Sequence, residues 1–409
     1  MPEGKTPESL NSDARNLADE IGHIVHQASQ ADSETLDALN AFSTQNLAAD
    51  AADAAEAPPL PPPGTPPAQV NAWWDRLSVA EQMAVIAVDP IGVGMTDGIP
   101  AEARDAANRI LLDSERERLT QRRDELIAIE PGHRTSEQQQ ELVIANRQLD
   151  GIEAIDQRLD EPRPGQQQAY LLGLDTDDLG QAIVAIGNPD EADNVVTFVP
   201  GTYTQLSKAG QGIADVEVVV DQAQRSDPTT RTAGVLWIGY DAPQSIPRDA
   251  TRISYAEDAG EDLDSFQDGL RATHQGPPAN NTVLGHSYGS TVVGVAARDE
   301  RLDVDNIVLV GSPGVGVDHA SELGIPRENV WATAAENDPI ASAIDPTQPY
   351  DLVHGNDPTD ADFGGQVFAS DPGSAWPPGA AHLEYWQPDS PSLINFGHIV
   401  AGRYEAVER

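Results

Sequence analysis

From Gly165 onward the chain follows one rhythm: a short apolar run, a turn containing glycine or proline, a helical stretch, then another apolar run. The runs fall at 169–174, 182–186, 195–199, 234–238, 282–284, 307–310 and 330–334, and helical stretches at 205–224, 257–274 and 288–299 separate most of the later ones. Short β-rich runs without polar alternation are buried on both faces, which requires a layer of helices on each side. The pattern therefore predicts an α/β fold, a mostly parallel sheet flanked by helices. The polar turn at 175–180 suits an antiparallel pair at the edge of the sheet. One more strand is expected at 365–369, before a terminal helix. No repeat of fixed period is present.

The part before residue 165 has a different character. Residues 1–56 are polar and rich in Ala and Asp, with a weak helical period through Leu36, Leu39 and Leu47, and read as a mobile or helical arm. Residues 57–68, which include Ala-Pro-Pro-Leu-Pro-Pro-Pro-Gly-Thr-Pro-Pro, read as a stiff, extended linker rather than a packed element. Residues 69–164 read as helical. Trp73, Trp74, Leu77, Val79, Met83, Val85 and Ile86 suggest packing on a core, and 101–130 carries Arg104, Arg109, Arg116, Arg118, Arg122 and Arg123 among acids at helical spacings. Pro131-Gly132 ends that helix. A second runs from about Ser136 to Asp160, with Leu142, Leu149, Ile152, Ile155 and Leu159 on one stripe and its charges read as a solvated face. The helical region is a candidate cap or lid on a catalytic domain spanning 165–409.

Charge removes several function classes. Lys and Arg number 24 against 67 Asp and Glu, a net charge of −43. Such a chain repels nucleic acid and anionic membrane surfaces. There is no cysteine, so thiolate nucleophiles, disulfides and Cys-type metal sites are excluded. His23 and His26 share a helix face without a further ligand, and no metal or cofactor is expected. The first residues have neither a basic start nor an apolar core, and no run approaches 18 apolar residues. The expectation is a cytoplasmic protein without stable membrane insertion, export by a route that needs no such signal staying open.

The sharpest chemical signal is Val283-Leu284-Gly285-His286-Ser287-Tyr288-Gly289-Ser290. This is Gly-X-Ser-X-Gly between an apolar run and a helix. A serine on a sharp strand-to-helix turn needs Gly285 and Gly289 for close backbone approach, and the helix N-terminus below favours developing negative charge. Ser287 is read as a nucleophile rather than part of a structural turn. Serines of this kind are followed in the chain by the acid, then the histidine. Asp338, just past the run 330–334, lies where ligands meet a parallel sheet and is the favoured acid. Asp318 and Glu336 are the competitors. Of the downstream histidines, His382 lies in a loop before the last helix and is the favoured base, with His354 second. His398 falls in the apolar period of the terminal helix and reads as packed or capping. His286 points away from the nucleophile by strand alternation and reads as structural. The oxyanion donors are assigned to the Tyr288 amide and, after Pro200-Gly201, to the amide of Thr202. Tyr240, Asp241 and Pro243 either line the pocket or buttress the elbow.

The elbow, Val199-Pro-Gly-Thr202, Trp237-Ile-Gly-Tyr-Asp-Ala-Pro243, Asp338-Pro-Ile and the upstream Asp97-Gly-Ile-Pro-Ala-Glu-Ala-Arg-Asp-Ala-Ala-Asn-Arg109 together resemble an actinobacterial family of α/β-hydrolases without assigned function. The likeness covers roughly residues 70–405. It implies an α/β-hydrolase fold and a serine-hydrolase site at Ser287, Asp338 and His382, and it brings no substrate. Where that family often has Asn-Leu before Asp-Gly-Ile-Pro, this chain has Met95-Thr96.

Residues and resemblance converge on a serine hydrolase that cleaves a carboxylic ester or thioester, small or lipid-like, through an acyl-enzyme. A reading from another class makes residues 1–160 the functional part. The chain would then be an interaction or export-linked protein whose helical half binds a protein partner, with the hydrolase-like domain as scaffold.

Overall fold

The computed structural model describes residues 57–160, 165–246, 248–340 and 353–409. The arm at 1–56, with its leucines and with His23 and His26, lies outside the described residues. Three short helices, α1 (Pro67–Trp74), α2 (Val79–Val88) and α3 (Pro90–Met95), lead into two long ones, α4 (Ala101–Ala128) and α5 (Ser136–Asp160). The strands are β1 (Ala169–Asp175), β2 (Gln181–Ile186), β3 (Asn194–Val199), β4 (Thr232–Ile238), β5 (Asn280–His286), β6 (Asn306–Val310), β7 (Val330–Thr333) and β8 (Gln366–Val367). Between or after them come α6 (Ala209–Ser226), α7 (Ser254–Thr273), α8 (Tyr288–Asp299) and α9 (Pro391–Val400).

Each apolar run becomes a strand of one eight-stranded sheet, ordered β1-β2-β4-β3-β5-β6-β7-β8. The expected antiparallel pair is β1 with β2; β2 also runs antiparallel to β4, and all other pairings are parallel. No residue of β3, β4 or β6 is exposed, because apolar helices cover both faces. Val216, Val219 and Val220 of α6 pack with Phe396 and Ile399 of α9 on one face. Leu263 and Phe266 of α7 pack with Val292 and Val295 of α8 on the other. The topology also locates a crevice. β3 pairs with both β4 and β5, so the strand order reverses beside it, and ligands of such sheets bind at the carboxyl ends of the strands around that reversal.

The long helices guard the opposite edge. β1 is an edge strand with a bulge between Leu171 and Gly173, a place where unpaired backbone invites unwanted pairing. Asp105 accepts the Leu171 amide at 2.7 Å and Asn108 donates to the Leu171 carbonyl at 3.0 Å. Arg104 donates to the Gly94 carbonyl at 3.1 Å and pairs with Asp97 at 2.7 Å. Arg109 bridges Asp105 and Asp160, tying α4 to α5. The charges of α5 are not all solvated as the sequence pattern suggested. Arg158 is buried, donating to Glu217 of α6 at 2.5 Å and to the Gln167 carbonyl at 2.7 Å.

The proline-rich segment also differs from expectation. Ala57 and Leu60 pack against the cluster of Val70, Trp74, Val85 and Val93. Prolines have few backbone donors to leave unsatisfied and little freedom to lose, so an extended run can lie along a surface at small cost. Among the described residues no helix is long and apolar enough to cross a membrane.

Candidate active site

β5 ends at His286 and α8 begins at Tyr288, which leaves Ser287 alone in the turn, at φ 54° and ψ −131°. A non-glycine residue in this region costs about 1–3 kcal/mol and persists only where its surroundings hold it. Here the Ser287 amide donates to the Val310 carbonyl at 2.9 Å, and Ser290 donates its hydroxyl to the Ser287 carbonyl at 2.6 Å. A Cβ on Gly289 would run into the Val199 carbonyl, so only glycine lets α8 approach β3 this closely.

The loop after β3 presses on the same turn. A Cβ on Gly201 would lie 2.8 Å from both Ser287 Cβ and the Tyr288 amide nitrogen. The Tyr203 amide, at φ 71°, donates to the Pro243 carbonyl at 2.8 Å, and the Tyr240 hydroxyl donates to the Pro200 carbonyl at 2.7 Å. Tyr240 is buried and stacks on Trp237 with ring centroids 6.0 Å apart. The Trp237–Pro243 block therefore buttresses the loop that carries Thr202. Among the described residues no backbone carbonyl takes the Thr202 amide. The Tyr288 amide sits in the first turn of α8, where a helix has no internal acceptor.

Asp338 follows β7 in a short turn and is fully buried. His382 comes from a 3-10 turn, Ala381–Leu383. The structure brings them together: His382 Nδ1 lies 2.8 Å from Asp338 Oδ2. The Tyr385 hydroxyl donates to the same oxygen at 2.7 Å, and the Ile340 amide donates to Oδ1 at 2.8 Å. Burial raises the Asp338 pKa, but the bonds from His382, Tyr385 and Ile340 outweigh it and hold the carboxyl below its usual range. Tyr385 is held above the ordinary phenol range, by burial first and then by the Asp338 charge.

Gly311 joins the pair to the serine. It follows Val310, the acceptor of the Ser287 amide, and at φ 54° a Cβ there would lie 2.7 Å from Asp338 Oδ2 and 3.2 Å from His382 Nδ1. His286 supports His382 from the other side. Its Nε2 lies 2.8 Å from the His382 carbonyl, and the two rings meet tilted by 33° with centroids 4.6 Å apart. A carbonyl only accepts, so His286 Nε2 carries the proton. Burial, with a smaller contribution from His382, pushes its pKa down to about 3, which keeps the ring neutral.

The competing residues lie elsewhere. Asp318 and Glu336 are exposed. His354 Nε2 lies 2.7 Å from the Ala250 carbonyl, and the ring meets Tyr288 edge-on, with burial lowering its pKa. His398 is half-buried on α9. Tyr385 had no assigned part in the sequence reading, and His286 was read only as structural. Tyr385 stands three residues after His382, and that closeness in the chain was the available signal. The contact of His286 with His382 had no such signal, because the two residues are 96 apart in the chain. Among the described residues no group of three or more His, Asp or Glu could hold a metal.

A family model described as an alpha/beta hydrolase matches residues 175–347, from the end of β1 past β7, including Ser287 and Asp338. The fold is an α/β-hydrolase fold. An uncharacterised protein found in two strains of Mycobacterium tuberculosis is 31% identical over 385 residues, covering 84% of this chain and 57% of the relative. A shorter uncharacterised relative from Mycobacterium bovis is 32% identical over 173 residues, covering 40% of this chain and 63% of that protein. The chain thus spans a little over half the length of its Mycobacterium tuberculosis relatives. Among solved structures it is similar to a dienelactone hydrolase from Anabaena variabilis, with 14% identity, a TM-score of 0.36, and 60% of this chain and 100% of that chain covered. It is also similar to an arylesterase, with 12% identity, a TM-score of 0.33, and 71% and 98% covered.

Proposed function

We propose that this α/β-hydrolase is a serine hydrolase that cleaves a carboxylic ester or thioester through a covalent acyl-enzyme. Ser287 is the nucleophile, His382 the general base and acid, and Asp338 the orienting carboxylate. The observation that carries the reading is the His382–Asp338 hydrogen bond beside a serine held at φ 54° on a strand-to-helix turn. A carboxylate only accepts, so His382 Nδ1 carries the proton and Nε2 is left as the base.

The steps follow from that tautomer. Nε2 takes the Ser287 proton as Oγ attacks the carbonyl carbon, and the oxyanion is received by the Thr202 and Tyr288 amides. Nε2 then returns the proton to the leaving alkoxide or thiolate as the carbonyl reforms. Water gives its proton to Nε2 and attacks the acyl group, and Ser287 leaves with that proton. Asp338 stays ionised and pairs with the imidazolium in each half-reaction.

The substrate reading is a neutral, apolar ester. Leu383, next to the base, is 72% exposed and Tyr203, next to Thr202, is 47% exposed. Apolar side chains flanking the catalytic groups favour an apolar acyl or alcohol moiety, and a net charge of −43 disfavours an anionic one. Labelling with a fluorophosphonate tests the whole reading. Wild-type protein is expected to label once and Ser287→Ala not at all; a folded wild type that stays unlabelled, or equal labelling of the variant, overturns it.

A further inference from the structure

Orienting an imidazole requires one acceptor on the acid, yet Asp338 Oδ2 receives two donors: His382 Nδ1 at 2.8 Å and the Tyr385 hydroxyl at 2.7 Å. The Tyr385 oxygen in turn accepts the Ala335 amide at 2.9 Å. Ala335 and Asp338 lie in the loop after β7, whereas Tyr385 lies two residues beyond the turn that carries His382, in the same loop before α9. Tyr385 therefore joins the acid's loop to the base's loop by a route separate from the acid–base bond. The Ile340 amide holds Oδ1 at 2.8 Å, so with Tyr385 on Oδ2 both carboxylate oxygens are pinned and the group cannot swing about its Cβ–Cγ bond. At the other end of the base, His286 holds the His382 carbonyl.

We propose that Tyr385 is a positioning residue of the reaction, fixing the Asp338 carboxylate so that His382 is presented to Ser287 in one tautomer and one orientation. The inference rests on the serine-hydrolase reading above. A buried tyrosine hydroxyl that served stability alone needs any satisfied partner; this one sits on the oxygen that accepts the imidazole N–H, and it stays a donor because burial and the neighbouring charge keep the phenol protonated. Charge-assisted bonds of this kind are short and directional, which suits a group that must return to one geometry after each proton transfer.

The test uses the full chain, a fluorophosphonate, and a p-nitrophenyl ester that the wild type turns over. Tyr385→Phe is expected to lower kcat and the rate of Ser287 labelling by roughly 10- to 100-fold, the effect of displacing a catalytic group by about 1 Å, with KM little changed. The far-downfield proton resonance of His382 Nδ1–H should move or broaden. In an Asp338→Asn background the same substitution should cost almost nothing further, because the two residues act through one oxygen. Equal losses in both backgrounds, or wild-type rates with an unmoved resonance, overturn the inference. Should Tyr385→Phe fail to fold, fluorotyrosine placed at 385 keeps the shape while making the hydroxyl a stronger donor. The resonance should then move with labelling retained, and an unmoved resonance overturns the proposal. Labelling that persists in Ser287→Ala would instead remove the hydrolase reading itself, so the two failures are distinguishable.

Discussion

The turn at 285–289 and the segment 97–109 are both short, dense in small or charged residues, and sharply patterned, yet they do opposite work. The turn holds one serine in a strained conformation, with its amide, its carbonyl and the glycine two residues on all fixed by neighbours. The segment directs its polar atoms inward. Arg104, Asp105 and Asn108 are each 5% exposed or less, and they meet Gly94, Asp97 and Leu171. Strain that persists under tight packing suits the display of a reactive group, the role proposed for Ser287, whereas buried polar contacts to a strand close an edge. The first pattern concerns chemistry and the second stability, and substitutions should separate them.

The largest effect is expected at the turn. Ser287→Gly should abolish fluorophosphonate labelling while raising the melting temperature, because glycine relieves about 1 kcal/mol or more of backbone strain. A variant that loses stability instead would show that the turn is not strained. Next comes the clamp. Asp105→Ala leaves the Leu171 amide without its acceptor and Arg109 without its nearest carboxylate, at a cost of about 2–4 kcal/mol. Urea unfolding should show that loss while the folded fraction labels at the wild-type rate; a labelling rate that falls in proportion would join the two regions.

A third contrast uses pH. The folded pKa of Asp338 is depressed, so its contribution to stability is present above the unfolded value near 4 and is lost as pH falls through the lower folded value. The unfolding midpoint of Asp338→Asn should therefore depend less steeply on pH below about 4 than that of the wild type. Parallel curves would mean that the carboxyl is not held low. The smallest effect is expected at the rim. Leu383→Ser should lower kcat/KM for longer-chain p-nitrophenyl esters relative to the acetate by a few-fold, on the order of 1 kcal/mol. An unchanged ratio would remove Leu383 from substrate binding.

Much of the architecture was legible because it is local. Apolar runs such as 195–199 and 307–310 announce strands by their lack of polar alternation, and Pro131-Gly132 ends a helix wherever it stands. The glycines around Ser287 declare a tight turn for the same reason. What escaped was non-local. The partners Asp105 and Leu171 are 66 residues apart, His286 and His382 are 96, and Tyr385 and Asp338 are 47. Charges at helical spacing look alike whether they face water or clamp a buried strand, so Arg158 read as solvated and is not. The proline run read as a spacer because its composition reports backbone stiffness and says nothing of the surface it rests on.

The sequence by itself determined the strands, the helices between them, the turn that displays Ser287 and the absence of any thiol chemistry, since each follows from neighbours in the chain. Only the tertiary structure decided that Asp338 rather than Asp318 or Glu336 meets His382, that Tyr385 shares its oxygen, and that 97–109 seals the β1 edge. Those outcomes depend on which distant segments the sheet order brings within hydrogen-bond reach, and at about 3 Å that reach is far shorter than any distance that sequence spacing can specify.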